Sequence, residues 1–199
     1  MLYTTIFWVC FCLWVYLLSV LKRAHLSGYY FIVGSVGLFG VFIFLGQDYL
    51  VWLFSASLTY LAGAIGRLLG FFTSAGSNVL QVSHGLETMS LYIDFECSGI
   101  IETTAFLGLI AFYPLYIPKE RLSLALAGSL YIYVAELIRI LFIAIFLHYS
   151  GSAYFYLAHS ILGRLLFYVA VITLYYNVFT RSHIILRFLH STRGLVNDA

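Results

Sequence analysis

Three residues have side chains that could together attack a carbonyl. They are Cys97 in Glu96-Cys97-Ser98-Gly99, Arg139 in Glu136-Leu137-Ile138-Arg139-Ile140, and His159 in Ala158-His159-Ser160-Ile161-Leu162-Gly163. A thiolate is a strong nucleophile. Histidine is its usual acid–base partner and later protonates the leaving amine. Arginine stays protonated, so it cannot be a base, but it can stabilise an oxyanion or hold a substrate carboxylate. A cysteine at a helix N-terminus feels the positive end of the helix dipole, which favours thiolate. Asp94 and Glu96 push the other way, so a cationic neighbour is needed, and His159 or Arg139 could supply it.

Each residue also has a plainer reading. A lone membrane cysteine is most often a small hydrophobe, and an interfacial histidine is as often a polar cap as a catalyst. An intramembrane arginine is costly and marks function by default. Its plain explanation is a pair with Glu136, three residues earlier on the same helical face, which does not exclude catalysis. Glu102 is five residues past Cys97, which on one continuous helix points it well away from the cysteine face. It is read as pairing with another helix or lining a polar cleft. Arg164, five residues past His159, is read as touching lipid headgroups or substrate. His84 is read as a turn residue and His148 as the end of a span. No His/Cys cluster has zinc-ligand spacing, so no metal is expected, and no organic cofactor is implied. The three cysteines, Cys10, Cys12 and Cys97, do not form a disulfide framework.

The elements that must hold these residues are membrane helices. Hydrophobic residues make up 63% of the 199 and charged residues 9%, too few charges to build a water-facing surface. A net charge of +2 gives no reason to expect nucleic acid. The apolar runs predict spans at about 2–21, 29–46, 97–117, 123–147 and 161–180 in a single membrane domain, residues 1–199. The first is read as a retained span, because Lys22-Arg23 follows it and no small-residue cleavage site ends it. Residues 49–72 begin apolar, then turn to small residues with Arg67. Charge parity decides how they are read. Lys22-Arg23, Lys119 with Arg121, and Arg181, Arg187 and Arg193 all fall on the inner side only if 49–72 does not cross. The reading is therefore an all-α integral membrane protein with five spans, N-terminus outside and C-terminus inside. An outer interfacial helix and a small cap complete it. Two partly alternating runs around His84-Gly85 predict a hairpin above the third span, with Gly85 supplying the turn. This topology puts Cys97 and His159 at the outer surface. Arg139 lies roughly 13 Å below the outer end of its helix, within side-chain reach of the interface.

At these residues the chain resembles the exosortase/archaeosortase family, and is more closely similar to the short forms of Gram-positive bacteria. The resemblance is carried by Cys97-Ser98-Gly99 ahead of an apolar span, Arg139-Ile140 within a later span, and His159-x-x-x-Gly163 entering another. It runs from about residue 60 to 180. It implies a membrane cysteine transpeptidase or protease, with Cys97 as nucleophile, His159 as acid/base and Arg139 as oxyanion or substrate stabiliser. This is the Cys, Arg and His chemistry of sortases on an unrelated fold. It further implies secreted protein substrates with a C-terminal hydrophobic span and a membrane lipid or lipid-linked acceptor. The expected location is the cell membrane, with the active site facing outside. Two departures stand out. Glu136 occupies a position that is often Asn in the family, and Ile100-Ile101 follow the motif where many members carry a basic residue. A non-enzymatic small transporter, or a scaffold for surface-polymer assembly, is the rival reading. It makes Cys97 dispensable and builds a polar pathway from Arg139, Glu136 and Glu102.

Overall fold

Long apolar runs become helices here because a helix satisfies its own backbone hydrogen bonds without water. The structure, a computed structural model, describes residues 2–46, 49–84 and 87–181. The expected turn residue Gly85 and the tail residues Arg187 and Arg193 lie outside the described residues. The chain begins with α1 (Leu2–Arg23), α2 (Ser27–Gly46) and α3 (Tyr49–Leu69). Three short strands follow: β1 (Phe72–Ser74), β2 (Val79–His84) and β3 (Glu87–Tyr92). Next come α4 (Ile100–Phe112) and α5 (Pro118–Ser150). The last helical run opens with a 3-10 turn at Ser152–Tyr154 and a π-type stretch at Leu157–Leu162. It continues as α6 (Gly163–Tyr175) and ends in a second π-type turn, Tyr176–Arg181.

Among the described residues five helices are long and apolar enough to cross a bilayer. They are Thr4–Arg23, Ser27–Gly46, Tyr49–Leu69, Pro118–Ser150 and Ser152–Thr180. The number agrees with the sequence reading, but the membership differs. Tyr49–Leu69 is in the set, whereas α4 has 13 residues and is therefore about 20 Å long. Helix α3 meets α5 at two places. Tyr133 packs its ring on Phe54 at 6.0 Å and donates to Ser57 Oγ at 3.0 Å. Just past the end of α3, Phe71 stacks on His148 at 4.5 Å. These contacts are about four turns apart on both helices, so α3 runs beside the C-terminal half of α5.

The outside of the bundle is apolar. Trp8, Leu13, Tyr16, Leu126, Leu130 and Ile172 are all exposed. A surface of this kind is matched by lipid tails, and the chain is a multi-pass membrane protein. Inside, α2 lies on α4, and both α4 and α6 lie on α5. Phe106, Ile110, Ile132 and Phe167 fill the space where α4, α5 and α6 meet.

The strands form one antiparallel sheet in the order β1-β2-β3. The expected hairpin is β2–β3, paired from Val79↔Tyr92 to His84↔Glu87; β1 was not expected. A lone hairpin is marginal in water, and this one is held by its inner face. Leu80, Val82 and Leu91 are buried with Leu58 and Ala62 of α3 and Ile140, Ile143, Ala144 and Leu147 of α5. Burying each large apolar side chain contributes about 1.5–3 kcal/mol. A reciprocal pair of histidines fastens the far end. The His84 ring Nδ1 donates to the His148 carbonyl at 2.6 Å, and the His148 ring Nδ1 donates to the Ser83 carbonyl. His84 is thus the end of a strand tied to the end of α5.

Candidate active site

Cys97 is positioned by a turn, not by a helix. The Asp94 Oδ1 accepts the backbone N–H groups of Glu96 at 3.1 Å and Cys97 at 3.2 Å. Ser98 Oγ donates to the Phe95 carbonyl at 2.9 Å. Gly99 then caps α4 with φ of 69°, a left-handed conformation that only glycine adopts without steric cost. The sequence reading began the third span at Cys97. In the structure α4 begins at Ile100, and Cys97 lies two residues before its cap. The dipole, which fades within the first turn, therefore does less for the thiol than expected.

Arg139 comes up from the middle of α5 and is 5% exposed. Its Nη1 donates to Glu136 Oε1 at 2.9 Å, and its Nη2 lies 4.0 Å from Cys97 Sγ. The guanidinium carbon stands 5.6 Å from the centre of the Phe167 ring, a cation–π contact that helps to hold its plane. The Glu136 pair expected from the sequence exists, and it occupies only one edge of the fork.

His159 is carried by the π-type stretch, a feature common at functional sites because it re-aims one side chain within a helix. Its ring stacks on Phe155 with 5.5 Å between centroids, and its Nε2 lies 3.7 Å from Cys97 Sγ. Gly163 makes this approach possible. A Cβ there would lie 2.7 Å from Ile143 Cδ1 on α5 and 3.0 Å from the Ala158 carbonyl of its own helical run, so glycine gives this helix its closest approach to α5. The structure thus brings Cys97, Arg139 and His159 into one cluster from three separate elements.

Burial pushes the Cys97 thiol up from 9.0 to about 11; Arg139 opposes this, and Asp94 and Glu136 add to it. The resting side chain is a neutral thiol. It can attack only if a base removes its proton, and His159 Nε2 is in place to do so.

Two spaces meet at the sulfur. A narrow, mostly apolar crevice is lined by Leu91, Tyr92, Ile93, Cys97, Arg139 and His159, among others. A wider cleft of about 210 Å³ is lined by Glu96, Cys97, Glu102, Arg139, Arg164 and Phe167, among others. Glu102 therefore shares a cleft with Cys97, which corrects the expectation that it points well away. The five-residue count assumed one continuous helix, and the Gly99 turn breaks it. Arg164 stands at the mouth with its Nη2 3.6 Å from Glu96 Oε2, and both side chains are exposed. Sequence reading also missed Phe155 and Phe167. Phe155 is one helical turn before His159, the spacing at which helical neighbours touch. Phe167 had no such signal, because its partner Arg139 is on another helix.

A search of curated proteins finds no match, and a search of solved structures finds none. The profile of the transmembrane exosortase family (Exosortase_EpsH) matches residues 2–176, a stretch that contains the cysteine turn, the arginine helix and the histidine segment. The chain belongs to the transmembrane exosortase family.

Proposed function

We propose that the chain is a membrane-embedded cysteine transpeptidase or protease. It cleaves the C-terminal hydrophobic sorting signal of secreted proteins at the outer face of the cell membrane. It then passes them to a membrane-linked acceptor. Family membership supports a role in protein sorting within the membrane. The single observation that carries the finer reading is the cluster itself, with Cys97 Sγ 3.7 Å from His159 Nε2 and 4.0 Å from Arg139 Nη2.

The chemistry follows from these positions. His159 takes the thiol proton as sulfur attacks the scissile carbonyl. The developing oxyanion is stabilised by Arg139, whose charge is little screened at its buried site. Collapse breaks the C–N bond and leaves a thioester on Cys97, and His159 returns the proton to the departing amine. An acceptor nucleophile then attacks the thioester and restores the thiol. With water as acceptor the same cycle is proteolysis.

The test is substrate capture in native-like membranes. In the wild-type chain, quenched with acid during turnover, mass spectrometry should find a secreted-protein fragment joined to Cys97 as a thioester, strongly reduced in His159→Ala and absent from a Cys97→Ala control. Unchanged processing in both variants with no adduct would overturn the enzyme reading and favour the transporter or scaffold.

A further inference from the structure

We propose that the outer edge of β3 is the substrate's docking track. The segment of polypeptide just before the cleaved bond adds to the sheet as a fourth strand and is led to Cys97. This deepens the proposed function and rests on Cys97 being its nucleophile.

The hydrogen-bond alternation identifies the groups on that edge. The Ile93 N–H donates to the Asn78 carbonyl at 2.8 Å, extending the β2–β3 register by one hydrogen-bonded pair. Such pairs alternate with non-bonded ones along an antiparallel ladder. Leu91, Met89 and Glu87 therefore turn their backbone groups toward β2, while Tyr92, Ser90 and Thr88 turn theirs outward. The other side of β2 agrees. Ala75 N–H donates to the Val79 carbonyl at 2.9 Å and Ser83 N–H to the Phe71 carbonyl at 3.3 Å. Val79 and Ser83 thus serve β1, which leaves Leu80, Val82 and His84 for β3.

The two margins of the sheet differ. On the β1 side α3 lies close, with Gly63 against Ser74. Among the described elements only β2 packs extensively on β3. Thr88, Ser90 and Tyr92 are exposed. Open edges are normally blunted by lysine, proline or a bulge, and β3 has neither lysine nor proline in Glu87–Tyr92. An open edge with unpaired N–H and C=O groups is the setting for strand addition by an extended peptide.

The edge also leads to the nucleophile. From Tyr92 the chain passes through Ile93 and Asp94 into the cysteine turn, and Leu91, Tyr92 and Ile93 line one crevice with Cys97, Arg139 and His159. Arg139 Nε, His159 Nδ1 and Glu136 Oε2, on residues that line this crevice, are buried without a hydrogen-bond partner among the described residues. Buried polar atoms are rarely left so, and a peptide backbone offers both the acceptors and the donors they lack. Because β3 runs toward Cys97, an acyl segment whose terminal carbonyl sits at the sulfur lies parallel to it.

The test uses synthetic probes on the full chain in lipid nanodiscs, so no native substrate is needed. The probes are an acetyl thioester and an eight-residue peptide with a C-terminal thioester. Cys97 attacks the thioester carbonyl, the acyl group moves to its sulfur, and the probe's thiol leaves with the proton. Fragment mass spectrometry assigns the acyl group to Cys97 and not to Cys10 or Cys12. The peptide should react about 30- to 150-fold faster than acetyl, the gain expected from two or three net hydrogen bonds of about 1 kcal/mol each. N-methylating alternate backbone nitrogens in one register should abolish the gain, and the other register should keep it. Ser90→Pro, which deletes an outward N–H and no β2–β3 bond, should also abolish it. Acylation of Cys97 by both probes with no dependence on methylation register overturns strand addition and leaves the nucleophile standing. Failure of both probes to acylate Cys97 overturns the nucleophile and the docking track together.

Discussion

Glu136 and Arg139 form a buried ion pair at 2.9 Å within one turn of α5, and Glu136 holds Nη1 while Nη2 faces the Cys97 sulfur. The acid therefore orients the arginine without using up its donors. Removing it with Glu136→Ala would leave a buried guanidinium unpaired. The expected loss is about 3–5 kcal/mol of stability, read as a lower unfolding midpoint in detergent or nanodiscs. Glu136→Gln keeps an acceptor for Nη1 and should cost less.

The cluster predicts unequal effects of substitution on signal cleavage. Cys97→Ala should abolish it. His159→Ala should lower the rate by about two to four orders of magnitude, the usual contribution of a positioned acid–base group. Arg139→Lys keeps the charge but loses the fork that holds Glu136 and reaches the sulfur together, so a loss of about a hundredfold or more is expected. Processing of a tail-bearing secreted protein, followed by its change in mass, reads all three.

The buried thiol predicts a pH signature. With its value pushed up to about 11, the thiolate fraction of Cys97 should rise through pH 7 to 10 without levelling. A free cysteine in water levels near its ordinary value of about 8.5. Alkylation by a small neutral maleimide, followed at Cys97 by mass spectrometry, gives the profile. Asp94→Asn keeps the oxygen that accepts the Cys97 N–H but removes a negative charge that raises the thiol. It should therefore speed alkylation at each pH below 10.

Gly163 is predicted to be intolerant of even one methyl group. Gly163→Ala would press on Ile143 and the Ala158 carbonyl, overpacking that costs about 1–3 kcal/mol. It should also draw His159 away from the sulfur. The variant should lose cleavage yet still alkylate at Cys97, which separates misplacement of the base from loss of the nucleophile.

The histidine clasp predicts a local effect. His84→Ala removes the bond from β2 to the His148 carbonyl, worth about 1 kcal/mol. Hydrogen exchange in Val79–Tyr92 should quicken while that in α4 and α6 does not change. Equal quickening throughout would contradict a clasp confined to the cap.

Much of this protein was legible one residue at a time. Apolar runs of sufficient length require membrane helices whatever they pack on, so the fold class and most helices could be read from hydropathy alone. Alternation around His84 marked the hairpin, because side chains on a strand change face at every residue. Cys97, Arg139 and His159 drew notice as reactive or costly residue types. Tertiary structure decided what depends on contacts between distant segments. Helix α3 runs beside α5 because Phe54, Ser57 and Phe71 find Tyr133 and His148, which local composition does not encode. Glu102 reaches the cysteine cleft because a left-handed glycine breaks the helix on which its direction was counted. The meeting of thiol, imidazole and guanidinium is itself tertiary. It needs a turn before α4, the middle of α5 and a π-type stretch before α6 to converge, with the left-handed Gly99 and the close approach at Gly163 contributing.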